Sequence, residues 1–232
     1  NSIHYTSRSE QKIEKLTAES LIQFISKEAH TASQKLAEER GVFPNFEHSI
    51  YDNPGGMKLR NATVLSIAPT GTLSIIAGCS SGIEPLFALA FVRNVMEGTR
   101  LLEINPNFEQ AARERGFYSP ELMEKIAQRG TLSGIEGVPE DVKRVFVTDW
   151  DITPEWHVRI QAIFQKYVDN SVSKTINLPH EATPDDIHKI YTLAHQLKCK
   201  GITIYRYGSK KQQVLTLAGH ITEPAVEPSP YM

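Results

Sequence analysis

Apolar residues recur at intervals of three, four and once five near the start of the chain. They are Ile13, Leu16, Leu21, Ile25, Ala29, Ala32 and Leu36, with charged residues between them. That spacing predicts one long amphipathic helix over residues 9–40. Ser9 can cap its start and Gly41 can end it. The pattern then breaks. GVFPNFEHSIYDNPGGM, residues 41–57, carries two prolines and three glycines and predicts a loop to about residue 59. Residues 62–68 are β-branched and almost wholly apolar, which predicts a buried strand. This run leads into Pro69-Thr70-Gly71-Thr72, then a short helical piece that stops at Gly78.

Three later segments share one opening formula. Ser119-Pro120-Glu121, Thr153-Pro154-Glu155 and Thr183-Pro184-Asp185 each place a hydroxyl at the N-cap, proline at the first helical position and an acid in the first turn. They predict helices to about Arg129, Asp169 and Lys198. Asn105-Pro106 opens a fourth in the same manner. Strand-like runs lie between them: residues 145–147, 174–178 and 201–205. The last two flank a predicted helix, which points to a βαβ unit. From about Thr216 the chain becomes proline-rich, and residues 216–232 are expected to be a disordered tail. The fold class expected is α/β, with about four strands. Four strands would make a poor closed barrel, so part of the sheet is expected to come from elsewhere.

Composition removes several functional classes. The 232 residues carry a net charge of −2, so no overall field favours nucleic acid or an anionic membrane. No apolar run approaches the ~20 residues needed to span a bilayer. The first residues lack the apolar stretch of a signal peptide. The two cysteines, Cys79 and Cys199, are far apart. That fits a reducing, cytoplasmic compartment and excludes a disulfide framework.

The candidate chemistry centres on residues 68–78, APTGTLSIIAG. A strand running into a turn and a short helix puts backbone amides at the strand's carboxyl end, where ligands of α/β folds gather. The helix N-terminus adds partial positive charge. Thr70, Thr72 and Ser74 add hydroxyls, and Gly71 permits close approach. Two readings stand: an anion cradle, or an ordinary strand-to-helix turn without the Gly-Lys-Ser/Thr of a Walker loop. Next comes Cys79-Ser80-Ser81-Gly82-Ile83-Glu84-Pro85, with one acid among apolar neighbours. Glu84 there is a salt-bridge partner, a helix anchor or a substrate contact, and the structural roles carry more weight. His188 and His195 share a helix face, but no cysteine or acid completes a metal quartet. They are expected at the surface or packed. Lys210-Lys211 is expected to be a solvated turn.

These residues resemble ribonucleotide reductase of the adenosylcobalamin-dependent class II. The resemblance rests on Arg60-Asn61-Ala62-Thr63, Ala68-Pro69-Thr70-Gly71-Thr72-Leu73-Ser74 and Ala77-Gly78-Cys79-Ser80-Ser81-Gly82-Ile83-Glu84-Pro85. It continues through Phe164-Gln165-Lys166-Tyr167-Val168-Asp169-Asn170, Ser173-Lys174-Thr175-Ile176-Asn177-Leu178-Pro179 and Lys200-Gly201-Ile202-Thr203-Ile204-Tyr205-Arg206. It implies that residues 1–215 are the C-terminal part of a ten-stranded catalytic barrel, supplying only its last strands and helices. It also implies that Pro69, Thr70, Gly71, Thr72, Leu73 and Ser74 bind the substrate's diphosphate, which favours the cradle over the plain turn. Gly71 and Thr72 stand where class I enzymes typically have alanine and serine, which favours the cobalamin class.

The resemblance further implies that the catalytic cysteines lie upstream or on a larger partner chain. This chain is then either a fragment or the smaller subunit of a split enzyme. Neither Cys79 nor Cys199 sits in a motif matching a catalytic cysteine; Cys79 is expected to pack as a small residue. Class I enzymes relay radicals through adjacent tyrosines, but Arg206 separates Tyr205 from Tyr207, so that role is not carried over. The two tyrosines are expected on one side of a strand. An incomplete barrel would expose strand edges and apolar surface, so self-association or partner dependence is expected. The alternative function is a noncatalytic nucleotide-binding or regulatory module that retains the reductase shape. A self-sufficient enzyme is disfavoured, because no nucleophile or general base converges on the loop.

Overall fold

The computed structural model describes residues 8–94 and 100–209. The chain opens with helix α1, Arg8–Arg40. Ala18, Ile22, Ser33 and Ala37 form its buried face. Gly41 ends it in the left-handed region (φ 77°), its amide donating to the Ala37 carbonyl at 2.9 Å. The predicted loop follows. Phe43 is buried against the Phe46 and Tyr51 rings, and its amide donates to the Leu59 carbonyl at 3.0 Å. Of Ser9, the expected cap, only the helical backbone is described.

Residues 62–68 are not a buried strand. The segment is extended, but it makes a single parallel bridge, Ile67 with Val172. Ser66 and Ala68 are exposed, and Val64, Leu65 and Ile67 are only half buried. A carboxylate replaces part of the missing ladder: Asp169 Oδ2 accepts from the amides of Val64 at 2.7 Å and Leu65 at 3.1 Å. The apolar run encodes burial that the described residues do not supply, since only one edge of the segment is paired.

The hydroxyl–proline formula behaves as local chemistry predicts. It opens α4 (Pro120–Arg129), α6 (Pro154–Gln165) and α7 (Pro184–Gln196), and Asn105 opens α3 (Pro106–Glu114). Asn105 Oδ1 accepts from Asn107 and Phe108 amides at 3.1 Å. Thr183 and Asp186 form a reciprocal capping box. Thr153 makes no side-chain cap bond. Ser119 Oγ accepts from the Leu122 amide at 3.1 Å. Ser119→Ala is therefore expected to cost ~1 kcal/mol, read as a lowered denaturation midpoint; an unchanged midpoint would remove the cap's role. Helix α6 stops short of Asp169, because Gln165 Nε2 donates to the Asn170 carbonyl at 2.8 Å and the turn delivers Asp169 to residues 64–65.

Two segments depart from the pattern. Residues 145–147 are not a strand: Val145 ends helix α5 (Glu140–Val145), which opens after Pro139 with Glu140 and Asp141 in its first turn. An antiparallel pair not anticipated from the pattern joins β1 (Ala90–Asn94) to β2 (Arg100–Ile104), with Ala90 opposite Ile104. These short apolar runs lack the Asn-Gly or Asp-Gly signature of a tight hairpin, and periodicity does not resolve runs of that length.

The anticipated βαβ unit is present. Strands β3 (Thr175–Leu178) and β4 (Thr203–Arg206) are parallel, in register from Thr175 with Thr203 to Leu178 with Arg206, and α7 connects them. Helix α6 is the hub. Val158 packs with Ile176, Leu178, Ile190 and Ala194, while Ile160, Ile163 and Phe164 pack with Ala18 and Ile22 of α1. A separate core of Leu89, Phe108, Met123, Ile126 and Leu132 joins β1 to α3 and α4. The chain is thus α/β, and its parallel segments (65–67, 171–178 and 203–206) are the barrel-like part. The expected tail, residues 216–232, lies outside the described residues.

Candidate functional site

The 69–74 turn sits at the carboxyl end of the extended 64–67 segment. It opens helix α2, Gly71–Ala77. The conformation of special interest belongs to Thr70 rather than Gly71: Thr70 is left-handed at φ 52°. That is a strained state for a β-branched residue. Its surroundings hold it there. The Thr70 carbonyl accepts from the Ser74 amide at 2.8 Å, and its Oγ1 accepts from the Gly82 amide at 2.8 Å. Ser81 Oγ donates to the Pro69 carbonyl. Ser74 Oγ donates to the Gly71 carbonyl at 2.7 Å, so this hydroxyl is engaged locally.

A Cβ built on Gly71 meets nothing within 4 Å. The first turn of any helix leaves amides without an intrahelical acceptor, here those at the start of α2. Its open side therefore presents donors and partial positive charge. Gly82 is the residue whose lack of a side chain is needed. At φ 52°, a Cβ there would come within 3.1 Å of the Ala68 carbonyl oxygen.

The return segment is anchored across the fold. Glu84 Oε1 accepts from the Thr175 amide at 2.6 Å, and Oε2 from Lys174 Nζ at 2.5 Å. The Lys174 side chain has no exposure, whereas the Glu84 side chain keeps 28%. Of the roles open to Glu84 on sequence, the structure shows the salt-bridge partner. Lys174 was not singled out on sequence. The signal that marks it is alternation: Val172, Lys174, Ile176 and Leu178 are all buried, and one of the four is charged.

Lys174 also acts on a second buried group. Asp149, in a 3₁₀ turn before α6, is almost fully buried, and His157 on α6 wholly so. His157 Nε2 lies 3.5 Å from Asp149 Oδ1. Burial pushes the Asp149 carboxyl up to about 6, against the pull of the Asn177 side chain and the Lys174 charge. Burial, reinforced by Lys174, pushes His157 down to about 3. The contact is therefore a neutral imidazole beside a carboxyl rather than an ion pair. Asp149 Oδ1 and both His157 ring nitrogens make no hydrogen bond among the described residues. Asp149 and Asn177 line a cavity of about 300 Å³ walled by Phe87, Trp150, Tyr205 and Tyr207.

The two shifts have opposite consequences for stability. Asp149, raised from 3.8, favours the fold fully below pH 3.8 and loses that contribution as pH rises to about 6. His157, lowered from 6.5, favours the fold above pH 6.5 and loses that contribution as pH falls toward about 3. Between about pH 4 and 6 the slopes oppose one another. Asp149→Asn removes the falling contribution. Denaturation at a series of pH values is expected to show its stability rising more steeply with pH across that window than the parent's. Parallel curves would show that Asp149 titrates normally.

The remaining candidates are placed as follows. Cys79 is exposed and does not pack as a small core residue, because the end of α2 has no cover among the described residues. Cys199 packs against the core of β3, β4 and α7, and burial raises its thiol pKa. His188 and His195 are both exposed on α7. Tyr205 on β4 and Tyr207 in the turn just beyond it both line the same cavity, so the pair is not carried on one strand as expected. Lys210 and Lys211 lie outside the described residues.

Comparison with known proteins places this geometry in context. The family model described as ribonucleotide reductase, barrel domain, matches residues 53–205. The vitamin B12-dependent ribonucleoside-diphosphate reductase of Thermoplasma acidophilum is 56% identical over 198 residues, covering 85% of this chain and 26% of that protein. The protein of the same name from Mycobacterium tuberculosis strain H37Rv is 52% identical over 198 residues, covering 85% and 28%. Among solved structures, the alpha subunit of the Actinobacillus ureae class Id ribonucleotide reductase superposes with a TM-score of 0.70 at 25% identity. That match covers 84% of this chain and 34% of the other. The chain spans about a quarter of the length of these curated relatives. No helix among the described residues is long and apolar enough to cross a membrane.

Proposed function

The chain belongs to the ribonucleotide reductase family through its barrel domain, and from that premise we propose that it supplies the substrate diphosphate loop of a B12-dependent ribonucleoside-diphosphate reductase. The reaction replaces the ribose 2′-hydroxyl with hydrogen by radical chemistry. The observation that carries the reading is the 69–74 turn. It combines a strained, buttressed threonine immediately before α2 with an open helical first turn at the carboxyl end of the extended 64–67 segment. Pro69, Thr70, Gly71, Thr72, Leu73 and Ser74 hold the diphosphate. The Ser74 hydroxyl, turned to the Gly71 carbonyl, shapes the turn, and backbone amides take the charge. Fixing the remote diphosphate positions the ribose, a proximity contribution to the rate.

Residues 1–215 are the C-terminal part of the barrel in this proposal, and 216–232 an appended tail. The catalytic cysteines lie upstream or on a larger partner chain. Leu73 and Ile76 on α2 are 63% and 78% exposed, which supports a covering segment from that partner. The relatives are named for vitamin B12, and adenosylcobalamin is proposed for the complete enzyme. The described residues do not themselves fit it. Among the described residues, cavities of about 300, 510 and 470 Å³ are of the size that suits drug-sized ligands rather than a whole cobalamin. No step here runs through that group.

The test is ribonucleoside diphosphate reduction with adenosylcobalamin and a dithiol. This chain, the upstream cysteine-bearing chain, and the two together are assayed side by side. Activity only in the mixture is the expected result. Full activity of the upstream chain alone would make this chain a noncatalytic or regulatory module.

A further inference from the structure

We infer that Glu84, locked to Lys174, is a positioning residue for the diphosphate loop, because it fixes the segment that holds Thr70 left-handed. The inference rests on the reading of residues 69–74 as that loop. The chain of contacts is continuous. Thr70 Oγ1 takes the Gly82 amide, Ser81 Oγ reaches the Pro69 carbonyl, and the Ser81 carbonyl accepts from the Glu84 amide at 2.9 Å. Glu84 then spends one carboxylate oxygen on the Thr175 amide and the other on Lys174 Nζ. Lys174 Nζ also donates to the Thr175 carbonyl at 2.5 Å. The start of β3 is thereby the fixed end of a tie, and the strained threonine is the other.

A strained backbone persists only where its surroundings over-determine it. Thr70 has few such restraints: α2 is short, and its Leu73 and Ile76 are exposed. The 81–84 segment is what remains to restrain it. A buried ion pair adds little net stability over an apolar pair of the same shape, since desolvation offsets the attraction. What Glu84 adds is a directional hold on two donors at the start of β3, the Thr175 amide and the Lys174 ammonium just before it.

The test separates positioning from stability. The Glu84→Met/Lys174→Met double variant removes both charges together, so no lone buried charge remains. It is made in the active reductase that contains this chain. The expected result is a KM for ribonucleoside diphosphate raised about tenfold, with kcat within about twofold of the parent, the signature of lost substrate binding. A structural defect alone would lower the fraction of working enzyme, so kcat would fall and KM would hold. An unchanged KM overturns the inference. If the double variant does not fold, the Glu84→Leu/Lys174→Leu pair, which likewise leaves no lone charge, is read in the same way. Gly71→Asp, run in parallel, distinguishes the two levels. Loss of activity there with an unchanged KM in the double variant refutes only the positioning role. Parent-like kinetics in Gly71→Asp refute the loop reading itself.

Discussion

Gly71→Asp is expected to abolish turnover while leaving the fold intact. The position has room, since a Cβ there meets nothing within 4 Å, and its φ is not left-handed. A carboxylate in the first turn of α2 is favourable for the helix, by roughly 0.3–1 kcal/mol at an exposed site. The same charge faces the proposed diphosphate. It occupies the space the anion needs and repels what the amides attract. A fall in kcat/KM of at least ~100-fold is expected, about 2.7 kcal/mol of lost transition-state stabilisation. Denaturation is expected to be unchanged or slightly shifted upward. Normal kcat/KM would sink the loop assignment. Lost activity with a lowered melting temperature would instead point to a structural defect. The opposite signs for fold and substrate give this substitution its value.

Phe108→Ala is expected to produce the largest loss of stability. Phe108 is fully buried one turn into α3, its amide accepted by the Asn105 cap. Its ring meets Phe146 edge-on at 5.3 Å and tilts toward Phe117 at 6.2 Å. It therefore ties α3 to the ends of α5 and of its own following loop. Truncation removes the buried ring and leaves a cavity that α3 and α4 cannot easily close, costing about 3–5 kcal/mol. Chemical denaturation of the chain measures this. A loss below about 1 kcal/mol would mean that this cluster is not a cooperative core.

Legibility in the sequence followed the range of the interaction. The caps of α3, α4 and α7 were readable because donor and acceptor lie within three residues of each other. Helix α6 opened where the same formula placed it, although Thr153 makes no cap bond; proline and acid sufficed. The βαβ unit was readable because β3 and β4 are β-branched and bounded by α7 signals. Residues 62–68 misled for the converse reason. Their apolar run matches a buried central strand, yet only one edge is paired here, and the Asp169 carboxylate, 105 residues from Val64, accepts from amides that a neighbouring strand's carbonyls would otherwise serve. Residues 145–147 misled because Val-Phe-Val reads as strand, whereas the preceding proline and two acids start a helix that consumes Val145.

The sequence by itself determined where α3, α4, α6 and α7 begin, which strands pair around α7 and the family of the chain. All of these rest on contacts between near neighbours or on ordered motifs. Tertiary structure alone decided that Thr70, not Gly71, carries the left-handed turn, and that Glu84 meets Lys174 across 90 residues. It also decided that Asp149 and His157 are shifted in opposite directions. These follow from which groups the fold withdraws from water and brings within hydrogen-bond reach. A pattern of neighbouring residues does not encode that, because the cost of burying a charge depends on what surrounds it.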